Sequence, residues 1–313
     1  MQLEAFSNHL ELLLLLTAVA LARWLPLPSW YHPFTLLRLA FGNLVARTYS
    51  PEYSSSYLGL AAISSIALCV LLPLLMLTLF AQLVFYPELL SALVLYFCLG
   101  ETPLRQTSQR IAQALQQERN PLAKALLSKL ANRDAERLNT QGIAKANIEI
   151  LVLRMLHDYF SPLLLYCLAG YQASFAYALL WQLHRAMRAH ALPNSRYLFA
   201  SKWLLSLCQL PALLLYLLPA LFSKYRAIAW RYIRNYGQHF YHSPSGWILS
   251  VFSALLQVQL GGPAYYQGQR FERMRIGLYR QPEAEDIKAA LSIIERINGL
   301  WLLVIIISFL FLA

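Results

Sequence analysis

Runs of roughly 20 apolar residues constrain the fold of this chain more than any other feature of its sequence. Residues 10–27, 57–86, 159–181 and 203–222 are four such runs, and residues 297–313 form a fifth. A helix needs about 20 apolar residues to cross the hydrocarbon core of a bilayer. The composition agrees, because 58% of the residues are hydrophobic and 13% are charged, against about one quarter charged in an average soluble chain. The sequence therefore predicts an all-α fold, a polytopic membrane helical bundle.

Two apolar segments need separate interpretation. Residues 10–27 resemble a secretion signal in position, but Glu4 and Glu11 stand where a signal has basic residues, so we expect a retained helix. Residues 88–100 are too short to cross a bilayer alone. They are either the return arm of a hairpin that begins at Tyr57 or a half-buried segment.

Basic residues between the apolar runs predict the orientation of the chain. Residues 101–145 carry eight Lys or Arg against four acidic residues, and residues 223–240 carry four against none. Because an excess of Lys and Arg marks cytoplasmic segments, we expect both segments in the cytoplasm, together with residues 29–56. Strict alternation would place residues 184–202 outside despite their basic charge, so their side is unassigned, and a re-entrant segment around Gly170 is one explanation. These features predict a multi-pass membrane protein.

The longest polar segment, residues 101–147, has the pattern of two amphipathic helices. Leucine and isoleucine residues recur at helical spacing on both sides of Asn120-Pro121, where proline interrupts the helix. No strand alternation and no internal repeat is visible. Residues 1–313 are predicted to form a single membrane domain that includes this cytoplasmic helical loop.

The composition also bears on partners and metals. The four cysteines lie inside apolar stretches without C-x-x-C spacing, so disulfides and a zinc site are not expected. The net charge is +11, and most basic residues lie in the segments between the apolar runs. Cytoplasmic loops explain this distribution more simply than a nucleic-acid-binding surface does. The expected partner is the lipid bilayer, and nucleic acid is not expected.

Ionisable residues beside the apolar runs are candidates for chemistry, because charges are costly in a bilayer. Glu149 has Lys145 four residues away, and Arg154 and Asp158 have the same spacing. Residues one helical turn apart can form an ion pair. Each pair could therefore only stabilise its helix, or one of its members could act in binding or catalysis. Arg133 and Asp134 are either a solvated ion pair or functional residues. His32-Pro33 is either a turn or the position of a functional histidine.

A glycine-rich turn is the more specific signal. Gly261, Gly262 and Pro263 follow an apolar stretch, and such an open backbone can offer N–H groups to a phosphate or carboxylate. Arginines follow at positions 270, 273 and 275, which suits an anionic ligand. The alternative is a helix C-cap followed by a basic interfacial strip. No Walker A, G-x-G-x-x-G or G-x-S-x-G sequence is present.

Several short motifs occur in an order that resembles the CobD/CbiB family of cobalamin biosynthesis over nearly the whole chain. The resemblance is closest from Gln259 to Gly268, which is similar to the family's QLGGP-x-x-Y-x-G. The other matching motifs, in chain order, are Tyr31-His32-Pro33-Phe34, Asn132-Arg133-Asp134, Gly142-Ile143-Ala144, Ala146-Asn147-Ile148-Glu149, Ser161-Pro162-Leu163 and Glu285-Asp286-Ile287.

The resemblance implies a membrane synthase that joins cobyric acid, a corrinoid, to aminopropanol or its phosphate through an amide. Glu149 and Asp134 would then supply catalytic carboxylates. The residues that would bind substrate are His32, Arg133, Gly261, Gly262, Tyr266, Arg270 and Arg273. No metal ligands are assigned, although Mg²⁺ and ATP are the cofactors that such an amide-forming reaction could use.

The chain departs from the family pattern at several acidic positions. The family's Arg-x-Asp-Asp element corresponds here to Leu204-Leu205, and leucine cannot bind a metal ion. The alternative function is therefore a catalytically degenerate membrane sensor or interaction protein, similar to AmpE. Whether the chain is an enzyme is open at this point, and the resemblance favours one.

Overall fold

The computed structural model describes residues 2–27, 31–130, 134–192, 195–266 and 268–312. These ranges contain thirteen α-helices, short π and 3₁₀ segments, and four short strands. The helices are α1 (Gln2–Trp24), α2 (Pro33–Thr48), α3 (Ser55–Ile66), α4 (Leu72–Ala81), α5 (Pro87–Cys98), α6 (Glu101–Gln116), α7 (Asn120–Leu130), α8 (Thr140–Met155), α9 (Ser161–His190), α10 (Phe199–Leu217), α11 (Arg226–Tyr232), α12 (Ser243–Leu256) and α13 (Ala284–Leu312).

Four helical stretches in the described ranges are long and apolar enough to cross a membrane. They are Ser55–Ala81, Thr140–His190, Arg196–Phe222 and Ala284–Phe311. Four of the predicted apolar runs overlap these stretches, and the run 10–27 overlaps α1. The prediction of an all-α, polytopic membrane bundle is confirmed.

The chain divides into two compact units, the first built from residues 1–100, 157–209 and 302–313. In this unit α9 packs against both α2 and α5, and α1 packs against α5. Val45, Leu179 and Met187 are completely buried in its core. Gly170 interrupts the helical backbone of α9 with a φ of 79° and a ψ of −178°, and the helix continues beyond it to His190.

The second unit contains residues 101–156 and 210–301. Its central helix is α8, which packs against α6, α7 and α12. A helix that is buried on all sides needs apolar or small residues all round. The buried residues of α8 are Ile143, Ala144, Ala146, Asn147, Ile148, Glu149, Leu151, Val152 and Met155.

The predicted pair of amphipathic helices corresponds to α6 and α7. They are separated at residues 117–119, immediately before the Asn120-Pro121 sequence. Leu104, Ile111 and Leu127 are buried, whereas Leu122 is exposed. The apolar spacing therefore identified both helices and most of their buried face.

The segment after α12 differs from the prediction in two respects. It contains four strands that the sequence did not predict: β1 (Leu260–Gly261), β2 (Ala264–Tyr266), β3 (Gln269–Phe271) and β4 (Arg275–Ile276). β1 pairs with β4 and β2 with β3, both antiparallel. Strands of two or three residues are too short to show alternation.

The position of the helix stop also differs. The Gly261-Gly262-Pro263 turn is not a helix C-cap, because α12 ends at Leu256 and Gln257 takes the left-handed conformation, with a φ of 54°. The interpretation of this turn as a C-cap is therefore wrong. Gly261 is instead a strand residue of β1.

Candidate functional site

Glu149 is the centre of a buried polar cluster in the second unit. It lies on α8, whose first turn is capped by Asn139 accepting a hydrogen bond from the Gly142 N–H at 2.8 Å. Its side chain is only 4% exposed. One carboxylate oxygen, Oε1, accepts from the Gly261 N–H at 2.8 Å, and the other, Oε2, accepts from Nη2 of Arg273 at 3.1 Å.

Arg273 completes this cluster from the other side of the glycine turn. Its Nε donates to the Gly262 carbonyl oxygen at 2.9 Å, and its side chain is 7% exposed. The guanidinium also lies 5.9 Å from the centre of the Phe240 ring. Burial has the largest single effect on the pKa of Arg273 and lowers it, but Glu149, Tyr266 and Tyr241 together outweigh burial, so the pKa is raised above its ordinary value. Arg273 is therefore charged, and it forms a buried ion pair with Glu149.

The two glycines are suited to this turn by their backbone conformation. Gly261 has a φ of 69° and Gly262 a φ of 88°, a region that side chains disfavour. A Cβ added to Gly261 would overlap the carbonyl oxygen of Met274, whereas one at Gly262 would lie 3.3 Å from Cγ of Arg275. The Gly262 N–H donates to that same Met274 oxygen at 3.0 Å. Close approach of the backbone thus requires glycine at position 261.

Asp134 holds the neighbouring hairpin of β2 and β3. Its backbone N–H donates to the Tyr265 carbonyl oxygen at 3.0 Å, and its Oδ2 accepts from the Gly268 N–H at 2.9 Å. Tyr266 ends β2, half-buried, with its ring edge-on to Phe271. The observed contacts of Asp134 therefore fix the hairpin that carries Tyr266.

Arg270 and His32, two further predicted site residues, contact other partners. Arg270 is exposed on β3 and forms an ion pair with Glu272 at 2.8 Å. Arg133 falls outside the described residues. His32 belongs to the first unit, where its Nδ1 accepts from the Phe34 N–H at 3.3 Å and caps α2. Burial, with a smaller contribution from Arg38, lowers the pKa of His32 below its ordinary value.

Sequence reasoning assigned no role to two buried residues of the second unit. Asn147 is completely buried on α8, and its Nδ2 donates to Oγ of Ser108 at 3.2 Å. No described residue donates to its Oδ1. Asp286 forms two contacts of 2.7 Å with Arg280 and accepts from the Glu283 N–H. Both lie in motifs quoted above, and that motif membership was the only signal that could have identified them.

Metal binding can be assessed from the donor atoms. Within the ranges that the structure describes, no three His, Cys, Asp or Glu side chains are grouped so that they could hold a metal ion. Both oxygens of Glu149 already accept hydrogen bonds. Because Mg²⁺ needs several oxygen ligands in near-octahedral geometry, the described residues do not form a suitable Mg²⁺ site.

Comparison with known proteins places this arrangement in a family. The profile of the CobD/Cbib protein family matches residues 15–294. The chain belongs to the CobD/CbiB family. The family motif from Gln259 to Gly268 corresponds to β1, the glycine turn and β2, and the motif that ends at Glu149 corresponds to α8. Two family motifs are therefore in direct contact through Glu149 and Gly261.

Curated relatives cover nearly the full length of the chain. "Cobalamin biosynthesis protein CobD" of Chromobacterium violaceum is 28% identical over 296 residues, which cover 91% of this chain and 92% of that protein. The proteins of the same name from Stutzerimonas stutzeri and Sinorhizobium fredii are each 27% identical, and cover 89% and 91% of this chain and 91% and 92% of their own lengths. No solved structure matches the chain significantly.

Proposed function

We propose that this protein is a multi-pass enzyme of the bacterial inner membrane that acts on a corrinoid in cobalamin biosynthesis. The reaction would join a carboxylate of cobyric acid to aminopropanol or its phosphate through an amide. Family membership and full-length relatives named for cobalamin biosynthesis support this function. We further propose that residues 1–313 act as one functional domain, with residues 101–147 as its cytoplasmic helical loop.

The observation that carries the proposal is the buried contact between two family motifs. Glu149 accepts from the Gly261 N–H and Arg273 donates to the Gly262 carbonyl oxygen, so the ion pair holds both ends of the Gly261-Gly262 turn. Contrary to the expectation from sequence, the turn has no N–H group left for an anion, because Gly261 donates to Glu149, Gly262 donates to the Met274 carbonyl oxygen and Pro263 has no N–H. Its two glycines instead leave backbone without side chains, which a ligand can approach closely. We assign substrate binding to this turn and to Tyr266, Arg133, Arg270 and Arg273. A substrate contact by His32, which belongs to the first unit, stays a separate prediction.

The proposed carboxylates are Asp134 and Glu149. Amide formation removes one oxygen from the substrate carboxylate, so an activating reagent such as ATP is needed to accept that oxygen as phosphate. Asp134 is attached to the hairpin at Gly268, where it is exposed enough to meet a ligand. Glu149 is committed to Arg273 and Gly261, so in this state its role is to position the turn.

A second function is favoured by one observation. Leu204 and Leu205 on α10 stand where the family has its Asp-Asp element. Both leucines pack in the core of the first unit. A chain with apolar packing there could retain the fold without the reaction. This alternative is a degenerate membrane sensor or interaction protein, similar to AmpE.

Complementation tests the proposal. A strain that lacks cobinamide-phosphate synthase and is fed cobyric acid should grow when it expresses the parent chain. Asp134→Asn should abolish growth, whereas Glu136→Gln, a change at an exposed neighbouring acid, should retain it. If the parent inserts into the membrane but restores no growth, the sensor function is favoured instead.

A further inference from the structure

The segment after the Arg196–Phe222 span has two distinct faces. Only three residues separate Phe222 from the start of α11. Three extended residues reach about 10 Å. Because the span ends at Phe222, α11 begins close to the membrane surface.

One face of α11 is covered by protein. Ala229 and Tyr232 are buried against Val251 and Ala254 of α12. Ser250 extends this contact by donating to the Tyr232 carbonyl oxygen at 3.3 Å. These contacts fix which side of α11 faces outward.

The opposite face is basic and exposed. Arg226, Trp230 and Arg234 recur at four-residue spacing and are all exposed, and Lys224 and Arg231 flank them. Residues 223–240 contain no Asp or Glu. In the described part of the chain, none of these four basic side chains forms an ion pair with a carboxylate.

Exposed aromatic side chains accompany the charges. Trp230 is 59% exposed, and Phe222, at the end of the span, is 84% exposed. Tryptophan is enriched at membrane interfaces, where its ring lies at the level of the headgroups. Basic clusters next to a span attract anionic lipids. Charge, aromatic content and position therefore all match an anionic bilayer surface.

We propose that the exposed face of α11 and its flanking residues, comprising Lys224, Arg226, Trp230, Arg231 and Arg234, binds the phosphate headgroups of anionic phospholipids. The arginines donate hydrogen bonds to the phosphate oxygens, and Trp230 inserts beside them. This inference does not depend on the reaction proposed above. It means that the second unit binds anionic lipid directly through these residues.

Lipid titration of the purified full chain tests the proposal. Phosphatidylglycerol and phosphatidylcholine of identical acyl chains are added in detergent, and bound lipid is counted by native mass spectrometry. The parent should bind phosphatidylglycerol more tightly than phosphatidylcholine. Each charge removed should weaken that binding roughly 5-fold, so Arg226→Gln with Arg234→Gln should weaken it roughly 25-fold.

A charge-matched control distinguishes binding at this face from the general attraction of a basic protein for anionic lipid. Arg110→Gln with Arg119→Gln removes two exposed charges from the α6 region and should leave the affinity unchanged. Since all four arginines are exposed, both double variants should melt like the parent. Equal phosphatidylglycerol affinity in the parent and the α11 variant would overturn the proposal. An equal loss in the control, or equally tight binding of a polyglutamate peptide, would overturn it as well.

Discussion

Glu149 and Arg273 bury two opposite charges against the same pair of glycines. Each side chain satisfies the other and also one backbone group of the turn. Removing one member of a buried pair leaves the other uncompensated, which costs more than replacing both. The pair therefore determines the stability of the turn.

Glu149→Gln should destabilise the protein by about 3–5 kcal/mol, because Arg273 is left buried without its counter-charge. Adding Arg273→Met should recover much of this loss, since it removes the buried guanidinium charge that Glu149 compensates. Thermal unfolding of both variants in detergent measures the effect, and complementation by the double variant separates stability from activity. An unchanged melting temperature for Glu149→Gln would contradict a buried pair.

Alanine at the two glycines should have unequal effects. Both positions have positive φ, which costs an alanine about 1–2 kcal/mol, but only the Cβ at position 261 also overlaps the Met274 carbonyl. Gly261→Ala should therefore lower the melting temperature more than Gly262→Ala. Equal melting temperatures would show that the Met274 backbone moves freely.

The contact of Glu149 with Arg273 could not be predicted from its neighbours in sequence. Lys145, one turn away, was the only local candidate, whereas Arg273 is 124 residues distant. The sequence did identify Glu149, the glycine turn and Arg273 as separate candidates. Their contact depends on the packing of β1 beside α8, which no local pattern encodes.

At the scale of elements, the start of α2 links a titratable group to a helix end. His32 accepts the Phe34 N–H through Nδ1, which requires the unprotonated nitrogen. Its pKa is lowered in the folded protein by burial. The unfolded chain therefore binds a proton at a higher pH than the folded chain does.

The free energy of unfolding should consequently fall as the pH decreases below about 6.5, the ordinary pKa of histidine. Above that pH neither state is protonated at His32, and its contribution is constant. His32→Asn keeps a good N-cap and removes the titration. Melting temperatures at pH 7.5 and 5.5 should differ less in this variant than in the parent. The same difference in both would assign the pH dependence to other groups.

Element boundaries were predictable where a strong local signal exists. The break between α6 and α7 follows from Asn120-Pro121, because proline cannot continue a helix. The end of α12 was missed because Gln257 adopts a conformation that glycine prefers, while two glycines stand four residues later. The hairpins were missed since contacts with Asp134 and Met274 fix them, not alternation.

For the whole molecule, the charge counts predict that residues 29–56, 101–145 and 223–240 share the cytoplasmic side. Single cysteines at Glu52, Ser128 and Gln238, all exposed, can report this after the four native cysteines are replaced. All three should react with a membrane-impermeant maleimide only after the inner membrane is opened. Labelling of any one of them in intact spheroplasts would refute the predicted topology.

The separation of Glu149 from Arg273 along the chain also has a consequence for biosynthesis. Ribosomes add about 5–20 residues per second, so the 124 residues from Ile150 through Arg273 require roughly 6–25 s. Throughout that interval the sequence of α8 has been synthesised, whereas Arg273, which pairs with Glu149 in the folded protein, has not. Water, a proton or Lys145, the nearest earlier cation on the same helix, must stabilise the nascent carboxylate until the C-terminal third of the protein emerges.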